Sequence, residues 1–451
     1  MELSVTRERL FTNRDLFRLL LPLFIEQFLS IAVGLADQIM VAYVGESAVS
    51  AVSLVDNINI LIINIFAALA TGGAVVAGQY IGQKQNNRAN EAGTQLILLV
   101  AVISLCVTGL MYLCRGFILT VVFGEIEADV AAYALNYMNI TFLSIPFIAL
   151  YNAGAALFRT MRNSRITMIT SIIMNLVNVI GNAIGVYVLK LEIEGVAYPT
   201  LLSRIVGAFI IILLLFNKNQ IIHLTRKIKL KFDRYMIRNI LKIGIPNGIE
   251  NSMFQLGKIL LLSEISKFGT ASITANAIGN TVSAFATLPG IAIGLGLVTI
   301  VSQTVGAGDY DQARYYTRKL LTFVMISHIF INALVVLGLP TIIWAYNLSP
   351  ETARLTRQVL IFHSIFAAFV WPLSFTIPNT LRAANDVRYA MVVSVLSMWI
   401  FRIGFGIYLA RNTDLGMFSV WVAMIIDWIV RSIFFILRYR SNRWEKFKPT
   451  Q

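Results

Sequence analysis

The chain has 451 residues, 57% of them hydrophobic and 13% charged, against a charged share of about 25% in soluble domains. That composition excludes an ordinary soluble enzyme, because too little polar surface exists to cover the apolar segments. Lys and Arg number 37 against 23 Asp and Glu, but their placement between apolar runs marks a membrane protein rather than a nucleic-acid binder.

Arg7, Arg9, Arg14 and Arg18 lead into an apolar run too long for a signal-peptide core and without a small-residue cleavage site, so the N-terminus is expected to be retained. Twelve apolar stretches follow, near 16–43, 49–81, 93–114, 130–158, 166–189, 196–216, 240–266, 272–304, 317–340, 355–381, 389–410 and 415–437. Each is long enough to cross a bilayer as a helix. Cys106 and Cys114 share the third stretch, which indicates neither a disulfide framework nor a thiolate metal site. The three histidines are scattered and predict no zinc centre; His328 and His363 are read as ordinary. Alternate loops divide the basic residues between the two sides as 27 against six, which predicts that both termini are cytoplasmic.

The sequence also repeats itself at an offset of 224 residues. Arg14 to Arg18 and Pro22-x-x-x-Glu26 align with Arg238 to Lys242 and Pro246-x-x-x-Glu250, Gly45 with Gly269, and Ala51 with Ala275. Gln79-x-x-Gly82 and Ala89 align with Gln303-x-x-Gly306 and Ala313; after a one-residue slip, Arg159 and Arg165 meet Arg382 and Arg388. A shared register over so long a span predicts an all-α integral membrane fold of twelve transmembrane helices in two pseudo-symmetric six-helix bundles. The expected boundaries are 1–217 for the N-terminal lobe, 218–235 for a basic cytoplasmic linker, and 236–451 for the C-terminal lobe with its tail. Two lobes with a seam between them suit alternating access. No phosphate-binding loop is present, since Gly257-Lys258 is followed by Ile259 within an apolar run, so the expected energy source is an ion gradient.

An ionisable group inside a bilayer costs roughly 2.5–3.5 kcal/mol at the helix centre and is a site candidate by default. Glu26 and Asp37 lie eleven residues apart in the first span, on one helix face at two depths. Such a stripe can pass a proton or hold a small cation; alternatively, Glu26 and Glu250 are equivalent structural residues beside their prolines. Glu250, Lys258 and Glu264 crowd the seventh span, which predicts mutual neutralisation or pairing with the first span, with Lys258 a candidate counter-ion. Arg204, Arg402, Asp427 and Arg431 are read as packing pairs, the last two as an intrahelical ion pair. Asn175, Asn178 and Asn182 form a polar stripe in the fifth span, either joining helices or offering oxygen ligands to a cation beside Asp37. Some of the methionines and phenylalanines are candidates to line a cavity for flat apolar cations.

Several segments resemble the multidrug and toxic compound extrusion (MATE) family: Ala36-Asp37-Gln38-Ile39-Met40-Val41 ending in Gly45, Gly78 to Gly82 with Arg88-Ala89, their repeat at Gln303 to Ala313, and Leu381 to Asp386. The resemblance covers about residues 14 to 437. It implies a secondary antiporter that exports organic, often cationic amphipathic, compounds in exchange for sodium ions or protons. Asp37 matches the family's first-helix carboxylate and Asn178 the accompanying fifth-helix Asn, which implies a Na⁺ or proton site there. Asn182 stands where many members carry Asp, Phe254 and Trp371 where some carry further acids, and Arg162 where Gly is common. Coupling is therefore expected at Asp37, Asn178 and Asn182, with Glu26, Glu250 and Lys258 as cavity or gate candidates. The expected partners are small organic cations and membrane lipids, with no nucleic acid, and no cofactor beyond Na⁺ or H⁺. The expected form is a monomer in the inner (plasma) membrane. A lipid-linked oligosaccharide flippase of the same superfamily is the alternative; it is set below export because the intramembrane acids rival the bases in number. A non-transporting scaffold is disfavoured by the buried carboxylates.

Overall fold

The computed structural model describes residues 9–225 and 232–447. Arg7, Lys448 and the central part of the expected linker lie outside the described residues. The N-terminal lobe begins with α1 (Asn13–Val44) and α2 (Glu46–Gly82), followed by α3 (Asn86–Phe117), which runs on as a π-helical segment (Ile118–Val122). A bent pair, α4 (Ala128–Leu143) and α5 (Ile145–Thr160), leads to α6 (Ser164–Ala183), which also ends in a π-helical segment (Ile184–Val188), and then α7 (Glu194–Leu215). The C-terminal lobe comprises α8 (Arg234–Ser266), α9 (Thr270–Gly306), α10 (Tyr310–Leu337), the short α11 (Leu339–Ala345), and α12 (Pro350–Phe375) continued by α13 (Ile377–Ala383). It closes with α14 (Val387–Ser397), a π segment (Met398–Gly404), α15 (Phe405–Asn412) and α16 (Phe418–Arg440).

Among the described residues ten helices are long and apolar enough to cross a membrane, and the α4–α5 pair, bent by 44°, makes an eleventh. Helix α8 is the twelfth. Its 33 residues reach about 50 Å at 1.5 Å per residue, but Asn247, Glu250, Asn251, Lys258 and Glu264 lower its apolarity. Those polar groups are tolerable only where protein or a water-filled hollow faces them.

Local chemistry sets the helix ends. Thr12 and Asp15 cap α1 reciprocally: the Thr12 hydroxyl accepts from Asp15 N at 3.2 Å, and the Asp15 carboxylate accepts from Thr12 N at 2.9 Å. The turns from α1 to α2 and from α8 to α9 place Gly45 and Gly269 at positive φ, +142° and +86°, which a side chain would strain. These two glycines are repeat partners.

Among the described residues there are two large apolar cores, one per lobe, and the lobes exchange their first helical turns. Leu16, Leu19 and Leu23 of α1 belong to the C-terminal core, while Met236, Ile240 and Ile243 of α8 belong to the N-terminal one. The exchange joins the lobes at the end of the molecule where both described ends of the chain lie. There the repeated Gln-x-x-Gly segments of α2 and α9 cross backbone to backbone: a Cβ on Gly82 would sit 2.0 Å from the Gln303 carbonyl, and one on Gly306 would sit 2.1 Å from that of Gln79. The Gln79 amide donates to Ala383 O at 2.9 Å, and that of Gln303 donates to Thr160 O at 2.7 Å. Arg162 donates to Gln303 Oε1 through Nε and Nη2, at 2.8 and 2.6 Å, while its guanidinium lies 3.9 Å from the Phe11 ring centroid. Nearby, Asp386 accepts two bonds from Arg438, at 2.7 and 3.2 Å, yet burial still raises its carboxyl above the usual carboxylate range. The interlobe hydrogen bonds among the described residues all gather at this terminal side.

Arg162→Ala removes two charge-assisted bonds, each worth about 1.5–3 kcal/mol, from this seal. It should shift the population at least tenfold toward a terminal-side-open form, read in purified protein as faster labelling of Ser302→Cys, a buried position facing Gly78 across the seam, with Cys106 and Cys114 replaced by Ala. Unchanged labelling would mean that Arg162 does not latch the seam.

Candidate functional site

The first polar cluster lies inside the N-terminal lobe, where α1 packs along α6. Asn182, fully buried, donates from Nδ2 to Asp37 Oδ1 at 2.8 Å. With its amide oxygen turned to the Thr200 hydroxyl at 3.1 Å, Asn178 directs its amide nitrogen at both Asp37 oxygens, at 2.9 and 3.1 Å. The structure thus brings together Asp37, Asn178 and Asn182. Asn175 stands apart, with a buried Nδ2 that has no partner among the described residues.

Sequence reading passed over Asp56 of α2. It accepts from the Tyr137 hydroxyl at 3.3 Å and from Asn59 Nδ2 at 3.2 Å. Arg204 lies within electrostatic reach of both Asp37 and Asp56, and donates from Nη1 to Ser144 Oγ at 2.7 Å. An acid inside the second apolar stretch was the available signal, the same kind that marks Asp37. Arg204, read from sequence as a packing residue, belongs to this acid cluster.

Glu26 and Asp37 do share the face turned to α6, but they serve separate groups. Glu26 accepts from the Thr167 hydroxyl at 2.8 Å and faces Arg159 at 3.6 Å. Its repeat partner Glu250 faces Arg382 at 2.7 Å and Arg431 at 3.9 Å. Each lobe therefore holds an equivalent buried pair, Glu26 with Arg159 and Glu250 with Arg382.

Three expectations for the C-terminal lobe are corrected. The charges of α8 neither neutralise one another nor pair with α1: Glu250 turns to α13 and α16, and Glu264 turns to Lys267 and Arg411 near the far end of the lobe, at 2.5 and 3.2 Å. Lys258 is no counter-ion, since no carboxylate among the described residues lies within ion-pair distance; its nearest marked contact is the Phe254 ring, 5.2 Å away. Asp427 and Arg431 form no ion pair either. Asp427 accepts from Ser397 at 2.6 Å, while Arg431 donates to Ser394 at 3.1 Å, because the neighbouring α14 offers each a closer hydroxyl.

Beyond the seal, two adjoining hollows of roughly 600 and 530 Å³ open among α8, α9, α12 and α16, faced by α2. They share Phe254, Gln255, Lys258, Ile291, Trp371 and Phe375, and their volumes suit a small organic molecule.

The MatE family model matches residues 22–184 and again 246–408, so the second match begins 224 residues after the first. The chain belongs to the MatE family. Among its relatives, the uncharacterized transporter YisQ of Bacillus subtilis is 26% identical over 95% of this chain and 94% of its own length. The probable multidrug resistance protein NorM of Thermotoga maritima is 21% identical over 96% and 93%. A solved outward-facing conformation of a multidrug resistance MATE family transporter superposes with a TM-score of 0.89 at 18% identity, covering 96% of each chain. Membership makes this MatE chain a multi-pass membrane transporter with twelve helices in two bundles, not a classical enzyme, and the relatives' names do not favour the flippase alternative.

Arg382→Met takes from the buried Glu250 carboxylate its hydrogen-bonded partner and leaves only Arg431 at 3.9 Å; breaking a buried pair costs up to about 3–5 kcal/mol. A clear fall in Tm in detergent is expected, with most of it recovered in the Glu250→Gln/Arg382→Met double variant. Equal losses in the single and double variants would show that the pair is not coupled.

Proposed function

We propose that this MatE chain is a cation-coupled antiporter that exports organic compounds by alternating access, with Asp37 as the coupling carboxylate. The observation that carries this reading is the enclosure of Asp37 by Asn178 and Asn182, within reach of Asp56 and Arg204. A carboxylate so placed is stabilised by amide dipoles rather than by a permanent ion pair, which leaves it able to take a proton or a metal ion. The donor set suits Na⁺: besides the Asp37 oxygens, Asn182 Oδ1 is buried without a partner among the described residues. The carbonyl oxygen of Asn178 becomes available when its amide turns. Hard cations select such oxygen donors. Either occupant removes the cost of a bare intramembrane charge, several kcal/mol, which is enough to move a two-state equilibrium.

The excess of basic loops on the terminal side supports a cytoplasmic placement of both termini. The sealed state then faces outward, with loading of the cation from outside favouring the opposite form. The lobes proposed for this exchange are 1–217 and 236–451, rocking about the crossed Gln-x-x-Gly segments. Glu26 and Glu250, each in a buried pair, act in this scheme as structural fasteners of the lobes rather than as coupling groups.

In proteoliposomes, wild type should move a fluorescent cargo when a sodium or pH gradient is imposed, and Asp37→Asn should reduce that gradient-driven flux at least tenfold. Wild-type flux in the Asn variant would remove Asp37 from the mechanism.

A further inference from the structure

The expectation of cationic cargo rests on intramembrane acids that rival the bases in number, but along the hollows of the C-terminal lobe bases outnumber acids. At the 224-residue offset Lys258 falls opposite Gly34 and Asp37 opposite Leu261, so the repeat did not carry these charges across. In the N-terminal lobe, α1 and α6 supply a carboxylate and two amides. Their counterparts, α8 and the π segment after α14, supply Lys258 and Arg402. The hollows are lined by four basic side chains, Lys258, Arg382, Arg402 and Arg431, and by one acid, Glu250. Glu250 is already engaged by Arg382. Even with Asp427 counted, which acts on Arg402 and Arg431 from behind the wall, positive charge remains in excess by two.

Lys258 and Arg402 flank one ring, at 5.2 and 5.1 Å from the Phe254 centroid. Lys258 is exposed and lines both hollows. Buried guanidinium donors without partners among the described residues are Arg402 Nε, Arg382 Nε, and Arg431 Nε and Nη1. Two like charges beside one ring, with idle donors around them, repel each other in a medium that screens poorly. An entering anion relieves that repulsion, and the guanidinium groups gain charge-assisted bonds where they turn toward it. Among the amide and aliphatic side chains of the remaining wall stands an aromatic group: Trp371 stacks on Phe375 at 4.9 Å, and Trp428 meets Phe375 edge-on at 5.8 Å. Flat apolar bodies pack well on such rings.

We propose that this hollow binds an amphipathic organic anion, an aromatic or apolar body bearing a carboxylate, sulfonate or phosphate, and that the exported cargo is of this class. The assignment as cargo rests on the export reading above; the binding site itself does not. Coupling cation and anionic cargo then occupy different lobes and do not compete for one carboxylate, so exchange runs through the conformational change. A cation entering and an anion leaving both carry positive charge inward, so the cycle is electrogenic and an inside-negative potential accelerates it.

The test uses the full chain in phosphatidylcholine nanodiscs and three probes with one body: pyrene-1-sulfonate, 1-pyrenemethylammonium and 1-pyrenemethanol. Wild type should bind the sulfonate at least tenfold more tightly than either of the others. Lys258→Gln, which breaks no ion pair and should leave Tm unchanged, should weaken the sulfonate at least fivefold and leave the alcohol unaffected. Arg402→Met should add to that loss, and Lys258→Arg should restore binding. Equal or tighter binding of the ammonium, equal binding of the alcohol, or an unchanged Lys258→Gln would overturn the proposal. So would complete displacement of the sulfonate by phosphatidylglycerol nanodiscs, which would identify a lipid headgroup as the occupant. In proteoliposomes, sulfonate binding without gradient-driven flux would defeat the export reading and leave the anion site standing. Flux of the ammonium alone would do the reverse.

Discussion

A charge held among lipid tails has no water to turn to, so every ionised side chain in the spans must find an opposite charge, a set of dipoles or a wet hollow. This chain uses all three solutions, and which one each residue received decides its role. Glu26 and Glu250 found arginines, and Glu264 found Lys267 and Arg411. Asp37 found the amides of Asn178 and Asn182. Lys258 found a hollow. A carboxylate in an ion pair is held charged and fixed in place. One held by amides can change its charge state, because its partners are neutral and can rotate.

The duplication explains why these solutions come in related places. Two copies of a six-helix unit meet at their own Gln-x-x-Gly segments, and the glycines let two backbones approach to contact distance. The exchanged first turns of α1 and α8 place each lobe's leading leucines, isoleucines or methionine in the other lobe's core. The lobes are therefore fastened at one end, leaving the hollows beyond the seal. A pseudo-symmetric pair fastened in this manner is the architecture that the proposed alternating access requires.

Symmetry of backbone did not preserve symmetry of charge. The pairs of Glu26 with Arg159 and Glu250 with Arg382 recur at equivalent places in the two halves of this chain. The groups facing the interior differ, an acid cluster in one lobe and a basic, aromatic hollow in the other. On the readings proposed above, the first suits a small cation and the second a larger anion.

Length, apolar runs, the bias of basic loops and the internal offset determined the membrane class, the helix count and the two-lobe plan from sequence alone, because each depends on local composition or on register. Asp37, Asn178 and Asn182 were legible as well, since i, i+4 spacing places both amides on one face and an acid in an apolar run is conspicuous. Asp56 carried the same signal. Its place beside Asp37 depends on how α2 lies against α1 and α4, which no local pattern states. The partners of Glu250, the release of Arg431 from Asp427, and the solitude of Lys258 were decided by tertiary structure, because an ion pair forms with whichever group the packing brings nearest. Counting acids against bases along the chain treats the interior as one compartment; folding placed Lys258 and Arg402 together beside one ring.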